Sequence, residues 1–416
     1  MTSDTSAVDP DALIMEVFAT SDGRADPYSR YRQVRDVAPV HHCLAPDVWY
    51  LTDYRHSKAV LHDPRFGRGT DVLSGRMAAM DDETTARRRA ELRTGSENML
   101  FADPPEHTRL RGLVSRAFTP RRVEALRSQI ATLAEPCFDA MADAGNVDVM
   151  DVLAFPLPVA VIGELVGVPP EDREQFRWLV RDTTAMIEAV PDSDALDRAE
   201  HSMREMRAYF DDLVDRRRTE PADDLLSALI ELEDNGDRLS RGELISTAIL
   251  LFAAGFETTT NLIGNGLRTL LEHPDQLERI RKDPSLIPSA VDEILRYESP
   301  VQLDARTALV DADIAGTPVP AGTFVITFLG AGNRDPATYP DPETFDVSRD
   351  GAEPLSFGWG IHHCLGAHLA RAEGQEVLRG VLDRFSSVEL VDDHATWRPS
   401  VTLRGLEHLR VRAQPR

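Results

Sequence analysis

The spacing of apolar positions divides the chain into a helical majority and a small extended part. Pro27 to Val37 carries its apolar residues at helical intervals, and Val48-Trp49-Tyr50-Leu51-Thr52 has the β-branched and aromatic residues of a strand. From Glu106 to about Leu232 the pattern is mostly helical. It is broken at Pro120, at Gly167-Val168-Pro169-Pro170, at Pro191-Asp192-Ser193-Asp194 and at Glu220-Pro221. Ser240 to His273 predicts one long helix, capped by Ser240 and closed by Pro274, whose apolar middle must be buried. A helix from about Ser289 to Tyr297 follows. Ala305 to Phe328 then alternates and carries Gly316, Pro318, Pro320 and Gly322, which predicts a meander of short strands. Gly332 to Gly360 reads as coil ahead of a final helix beginning near Cys364. The polar, Arg- and Asp-rich stretch from Gly67 to Glu97 reads as a long surface loop. The expected class is mainly α with a minor β portion, as one domain over 1–416 that opens with a polar leader at 1–26.

Composition narrows the partners. With 42% hydrophobic and 28% charged residues, the chain has ample material for a core. The 46 Lys+Arg against 70 Asp+Glu give a formal charge of -24, which disfavours nucleic acid and anionic membrane surfaces. Met1 to Thr20 has no basic stretch ahead of its short apolar run, which Glu16 interrupts. The longest apolar run elsewhere, Ala248 to Phe256, falls far short of the roughly 20 residues that span a bilayer. A cytoplasmic protein without a membrane anchor is expected. Cys43, Cys137 and Cys364 are the only cysteines and form no C-x-x-C pair, so any metal chemistry must use cysteine singly.

Two segments concentrate chemistry. In Phe357-Gly358-Trp359-Gly360-Ile361-His362-His363-Cys364-Leu365-Gly366, glycines give the backbone freedom around a cysteine placed where a helix begins. Free N–H groups and the helix dipole there favour a thiolate. On these residues alone, Cys364 could be an iron-binding thiolate, an inert buried cysteine, or part of a zinc site with His362 and His368. In Ala253-Ala254-Gly255-Phe256-Glu257-Thr258-Thr259, an acid and an alcohol stand side by side in the apolar middle of the long helix. Buried polar groups are costly, so they need a reason to be there. One reason is a local kink, with Thr bonded to the carbonyl four residues back and Gly255 loosening the turn.

The first segment fits the Phe-x-x-Gly-x-x-x-Cys-x-Gly signature at every fixed position, and the chain is identified as resembling the cytochrome P-450 superfamily, soluble bacterial type. The resemblance runs from about Arg30 to Arg410. It implies the cytochrome P-450 fold with a long central helix over a haem b, protoporphyrin IX iron, held by Cys364 as its metal ligand. Phe357, Gly358, His362 and Gly366 would lie against that haem, with Ala254 and Gly255 across from them. The second segment resembles the family's acid-alcohol pair, which implies that Glu257 and Thr258 relay protons during oxygen activation. In Asp103-Pro104-Pro105-Glu106-His107-Thr108-Arg109-Leu110-Arg111, His107 and Arg111 share a helical face, and two donors on one face suit a dianionic partner. By resemblance these two, with Arg306 and His362, meet the haem propionates. Glu293 and Arg296, with Arg349, match the family's structural ion pair.

The resemblance further implies a monooxygenase that hydroxylates or epoxidises a lipophilic small molecule with O2 and two external electrons. No flavin or nicotinamide fingerprint is present, so a ferredoxin-type partner with its reductase is expected. Arg116, Arg121, Arg122 and Arg371 are candidate docking charges for it. The substrate pocket is expected between Gly67 and Met99, Met186 and Asp194, the face of Leu250, Ala254 and Thr258, Val301-Gln302-Leu303, and Val401-Thr402. Peroxide-driven or oxidative-coupling chemistry on the same haem fold, and haem binding without turnover, remain as alternatives. Peroxide-using members generally lack the acid-alcohol pair.

Overall fold

A computed structural model describes residues 8–45, 47–68, 98–118, 120–188, 193–234, 239–351, 353–392 and 394–416. Most of the loop expected from Gly67 to Glu97 therefore lies outside the described residues. The fold is 60% helical with a smaller strand portion. Its axis is the central helix Arg241–Glu272, which starts where the sequence predicts. Ser240 Oγ accepts from Glu243 N at 3.1 Å, and the Glu243 carboxylate accepts from Ser240 N at 2.7 Å. This reciprocal box satisfies two of the amides that a helix start leaves open. Pro274 ends the helix and begins the next one, Pro274–Lys282.

Helices Pro156–Val166, Ser193–Thr219, Ile287–Tyr297 and Ala367–Arg384 pack around the central helix, which explains why its middle is apolar nearly all round. Phe176 and Phe252 meet at 4.6 Å between ring centroids, and Phe252 and Phe256 at 5.8 Å, in tilted and edge-on contacts that stiffen this core.

The extended part consists of twelve short strands among the described residues. They are β1 (Val40–Cys43), β2 (Val48–Leu51), β3 (Phe66–Gly67), β4 (Asn146–Asp148), β5 (Leu303–Ala308), β6 (Ala312–Ile314), β7 (Thr317–Val319), β8 (Phe324–Phe328), β9 (Phe385–Leu390), β10 (Thr396–Trp397), β11 (Leu406–His408) and β12 (Arg410–Pro415). The largest sheet has the order β1-β2-β8-β5-β3, with β2 and β8 parallel and the other pairs antiparallel. On β5, Asp304 and Arg306 are two apart and so share one face of the sheet. A second sheet, β4-β12-β9, ties the chain end to the middle of the sequence.

Within the expected polar leader, the described residues from 8 onward carry two helices. Pro10–Ala19 is a helix that buries Ile14, Val17 and Phe18. Its apolar residues recur at helical spacing, but Asp9, Asp11 and Glu16 mask the pattern when only average polarity is read. Glu376, three residues before Arg379 on the helix Ala367–Arg384, is buried and accepts from Arg127 Nη1 at 2.8 Å as well as from Arg379 Nη1 at 3.4 Å.

Glu293 and Arg296 form a fork-to-fork pair at 2.7 and 2.8 Å, both buried. Arg296 also donates to the carbonyls of Asn333, Pro342 and Thr344, and Arg349 Nε reaches Glu293 at 3.1 Å. One ion triad thus pins the coil between 333 and 349, which has little regular structure of its own. Glu373, on the helix Ala367–Arg384, is the opposite case. It is buried, burial pushes its carboxyl well above the ordinary range, and its Oε2 has no partner.

Two stability measurements follow from these buried groups. Glu293→Gln leaves Arg296 buried without its counter-charge and should cost about 3–5 kcal/mol in chemical denaturation; a loss below about 1 kcal/mol would mean that the coil is held by other contacts. For Glu373, the folded state binds its proton more tightly than the unfolded state, whose carboxyl titrates near the ordinary glutamate value of 4.5. Stability is therefore fully present below about that pH and is lost as pH rises, at up to about 1.4 kcal/mol per unit until the folded group ionises. Unfolding of wild type and Glu373→Gln between pH 4 and 8 should show the variant gaining relative stability with increasing pH. Parallel profiles would contradict a neutral Glu373.

Candidate active site

The segment from Leu355 to Gly366 is held open by two backbone positions that only glycine fits easily. Gly358 has φ +66° and Gly360 φ +71°, and a Cβ on Gly360 would stand 2.4 Å from the Leu61 carbonyl oxygen. Cys364 N donates to Phe357 O at 2.9 Å, which closes the loop and places the cysteine just ahead of the helix that starts at Ala367. Burial raises the Cys364 thiol, while the Gly366 amide, Arg111 and Arg371 act in the opposite direction. Cys364 is accessible from a cavity of about 390 Å³ and enclosed by protein otherwise.

That cavity brings the sequence candidates together. Phe357, Gly358, His362, Cys364 and Gly366 line it, and so do Ala254, Gly255 and Thr258 from the central helix. Ala254 is exposed in the middle of a buried helix because it faces this space. The hydroxyl of Thr258 donates to Ala254 O at 2.7 Å, and that of Thr259 to Gly255 O at 2.9 Å. A Cβ on Gly255 would meet Ile162 Cδ1 at 2.7 Å, so this glycine lets the helix Pro156–Val166 approach.

At one end of the cavity stands a group of buried nitrogen donors. His107 and His362 have ring centroids 4.4 Å apart. His107 Nε2, His362 Nε2, Arg306 Nη2 and Arg68 Nε are all buried without a hydrogen-bond partner. Asp304 supplies part of the counter-charge: Arg306 Nη1 donates to it at 2.7 Å and Arg68 Nη2 donates to the same oxygen. Burial opposes ionisation of Asp304, but Arg306 and Arg68 outweigh it and bring the carboxyl to about 2. Burial, then Arg68 and Arg306, push His362 down to about 2, and burial also lowers His107. Orphaned buried donors are costly and demand acceptors. A protoporphyrin IX haem, a flat apolar ring with two carboxylates, fits this donor set and the cysteine beyond it.

The zinc alternative does not fit, since no group of three or more His, Cys, Asp or Glu converges as a metal site among the described residues. Arg111 also lines the cavity, acts electrostatically on His107, and donates from Nη2 to His363 O at 2.7 Å, beside the cysteine loop. Glu257 is buried and pairs with Arg398, a residue 141 positions later that no local pattern reveals. One turn on, Asn261 is buried with neither amide atom partnered. Sequence reading also missed Arg68, which directly follows β3, and Glu373, whose helix gives no signal that it lines the cavity. Of the expected pocket, Met99, Met186, Leu250, Val301, Leu303 and Thr402 line the cavity, while Gln302 is bonded to Tyr28 and Ser299 in the core. Among the described residues no helix is long and apolar enough to cross a membrane.

Comparison with known proteins agrees with this geometry. The family model described as Cytochrome P450 matches residues 178–403. The chain is 43% identical over 400 residues to 6-deoxyerythronolide B hydroxylase of Saccharopolyspora erythraea, covering 93% of this chain and 96% of that protein. It is 42% identical to cytochrome P450 monooxygenase PikC of Streptomyces venezuelae, over 94% of this chain and 92% of the other. Among solved structures, P450BioI in complex with an acyl carrier protein ligated to hexadec-9Z-enoic acid superposes with a TM-score of 0.88 at 37% identity, covering 95% of this chain and 99% of that one. The chain belongs to the cytochrome P450 family, haem-dependent monooxygenases that hydroxylate or epoxidise small molecules.

Proposed function

We propose that Cys364 is the thiolate ligand of the haem iron, that Arg68, Arg306, His107 and His362 hold the propionates, and that Glu257 and Thr258 deliver protons for oxygen activation on a lipophilic substrate. The observation that carries this reading is the shared cavity of about 390 Å³: an accessible sulfur, the Thr258 hydroxyl, and the orphaned donors Arg68 and His362 on its wall, with His107 beside His362 and Arg306 beside Arg68 on Asp304. When bound, the haem supplies oxygen activation, with sulfur pushing electron density toward the iron. The chain's own residues do the rest. Arg306 and Arg68 fix orientation by paired donors, Ala254 and Gly255 keep one wall free of bulk, and Arg111 holds the cysteine loop through the His363 carbonyl.

In this account Thr258 is the proton donor nearest the reacting end of the cavity, and Glu257 replenishes it. Glu257 faces Arg398, away from the cavity lining, so a proton passes between the two side chains through water or a side-chain rotation. The acid-alcohol pair favours dioxygen over peroxide as oxidant.

Electrons come from a ferredoxin-type protein and its reductase, and the protein works in the cytoplasm. Arg371 is committed to structure: it donates to Asp292 at 2.7 Å and lies over the Phe357 ring at 4.5 Å. Exposed Arg116 remains a docking candidate, and the side chains of Arg121 and Arg122 lie outside the described residues. Related enzymes act on 6-deoxyerythronolide B and vitamin D(3), which agrees with a bulky lipophile here.

Thr258→Ala should keep substrate binding while diverting most reducing equivalents to hydrogen peroxide, measured as product formed per NAD(P)H consumed with a surrogate reductase system. Unchanged coupling would contradict the relay. Charge reversal at Arg116 together with Arg122 should slow reduction at low salt and flatten its ionic-strength dependence in stopped-flow measurements. An unchanged salt profile would remove these residues from the docking face.

A further inference from the structure

Among the described residues three acidic side chains line the cavity, Glu188, Asp304 and Glu373, and they differ in what balances them. Asp304 is neutralised by Arg68 and Arg306. Glu373 is buried, which favours its uncharged form. Glu188 follows the short turn Thr184–Ile187 and has no Lys, Arg or His within 4.0 Å among the described residues. Its carboxylate is instead held by uncharged donors. Ser400 Oγ donates to Oε1, while Val401 N and Thr402 N donate to Oε2 at 3.1 and 3.3 Å.

The donors fix the carboxylate in place but add no positive charge. Around it the lining is apolar, with Met186, Ile187, Leu250 and Leu403. A negative charge held rigidly on an apolar wall attracts a cation and repels an anion more strongly than it would in water. Thr402 Oγ1 also stands 3.5 Å from Oε2, but its single proton has a nearer acceptor in Ile187 O at 3.0 Å; a carboxylate offers about four acceptor positions, so one remains for another donor.

Resting on the monooxygenase reading above, we propose that Glu188 makes this cavity select lipophilic substrates that carry a cationic, ammonium-type group at the end remote from Cys364. The apolar body of the substrate fills the cavity, and the charge pairs with Glu188 beside the Ser400–Thr402 turn. Fatty acids and other lipophilic anions are disfavoured by the same charge.

The test uses haem-loaded protein and calorimetric titration with decyltrimethylammonium, decanol and decanoate, each below its micelle concentration. A quaternary ammonium cannot coordinate iron, so its binding reports the wall alone. Glu188→Gln should weaken the ammonium probe about tenfold, leave decanol within about twofold and tighten decanoate. Glu188→Asp, which keeps the charge, should retain the ammonium affinity within about threefold. In the wild type, added salt should weaken the ammonium probe and leave decanol unchanged. Equal loss for all three probes in Glu188→Gln would make Glu188 only a clamp on the 400–402 turn and overturn the proposal. The same ammonium loss in exposed Asp350→Asn would assign the effect to net charge and also overturn it. Should Glu188→Gln fail to fold, the wild-type salt series and Glu188→Asp decide the matter. Failure of the protein to incorporate haem at all would instead contradict the monooxygenase reading, so the two failures are distinguishable.

Discussion

Buried donors without acceptors are the constraint on which this site turns. His107, His362, Arg306 and Arg68 stand together with one buried nitrogen each unpartnered among the described residues, Asp304 pairing with the two arginines, an arrangement that burial makes unfavourable unless a further anion completes it. Two carboxylates on a flat ring would meet that need and would orient the ring; the accessible sulfur of Cys364 and the hydroxyl of Thr258 address the same space from different elements. Positive φ at Gly358 and Gly360 gives the cysteine loop its shape, and the Cys364 amide bond to Phe357 O keeps it.

The scaffold places these groups by long-range pairing. The β5 register sets Asp304 and Arg306 on one face, opposite the strand that pairs in parallel with β2. The Glu293–Arg296–Arg349 triad holds the coil that leads into the cysteine loop, doing through charge what regular structure does elsewhere. The central helix needs its apolar surround so that Ala254 and Thr258, on the cavity side, can be the exceptions to it.

Much of this was legible in the chain itself. Ser240 and Glu243 mark the helix start by a local rule, and the cysteine segment carries its signature in ten consecutive residues. The helix of the first 26 residues was obscured because acidic residues alternate with its apolar face. What could not be read were contacts between distant segments: Arg398 on Glu257, Arg68 on Asp304, Glu188 on the 400–402 turn, and Arg111 on the His363 carbonyl. Periodicity reports which face of an element is apolar, and says nothing about which distant element will supply a counter-charge. Glu373 illustrates the limit, since a carboxyl on a mixed helix looks solvated until the packing buries it.

The thiolate assignment is tested most directly by the absorption spectrum of the reduced, carbon monoxide-treated holoprotein. The wild type should show the long-wavelength Soret band that sulfur ligation gives, and Cys364→Ala should lose that band or fail to retain haem. An imidazole-type band in the wild type, or an unchanged band in the variant, would contradict the assignment.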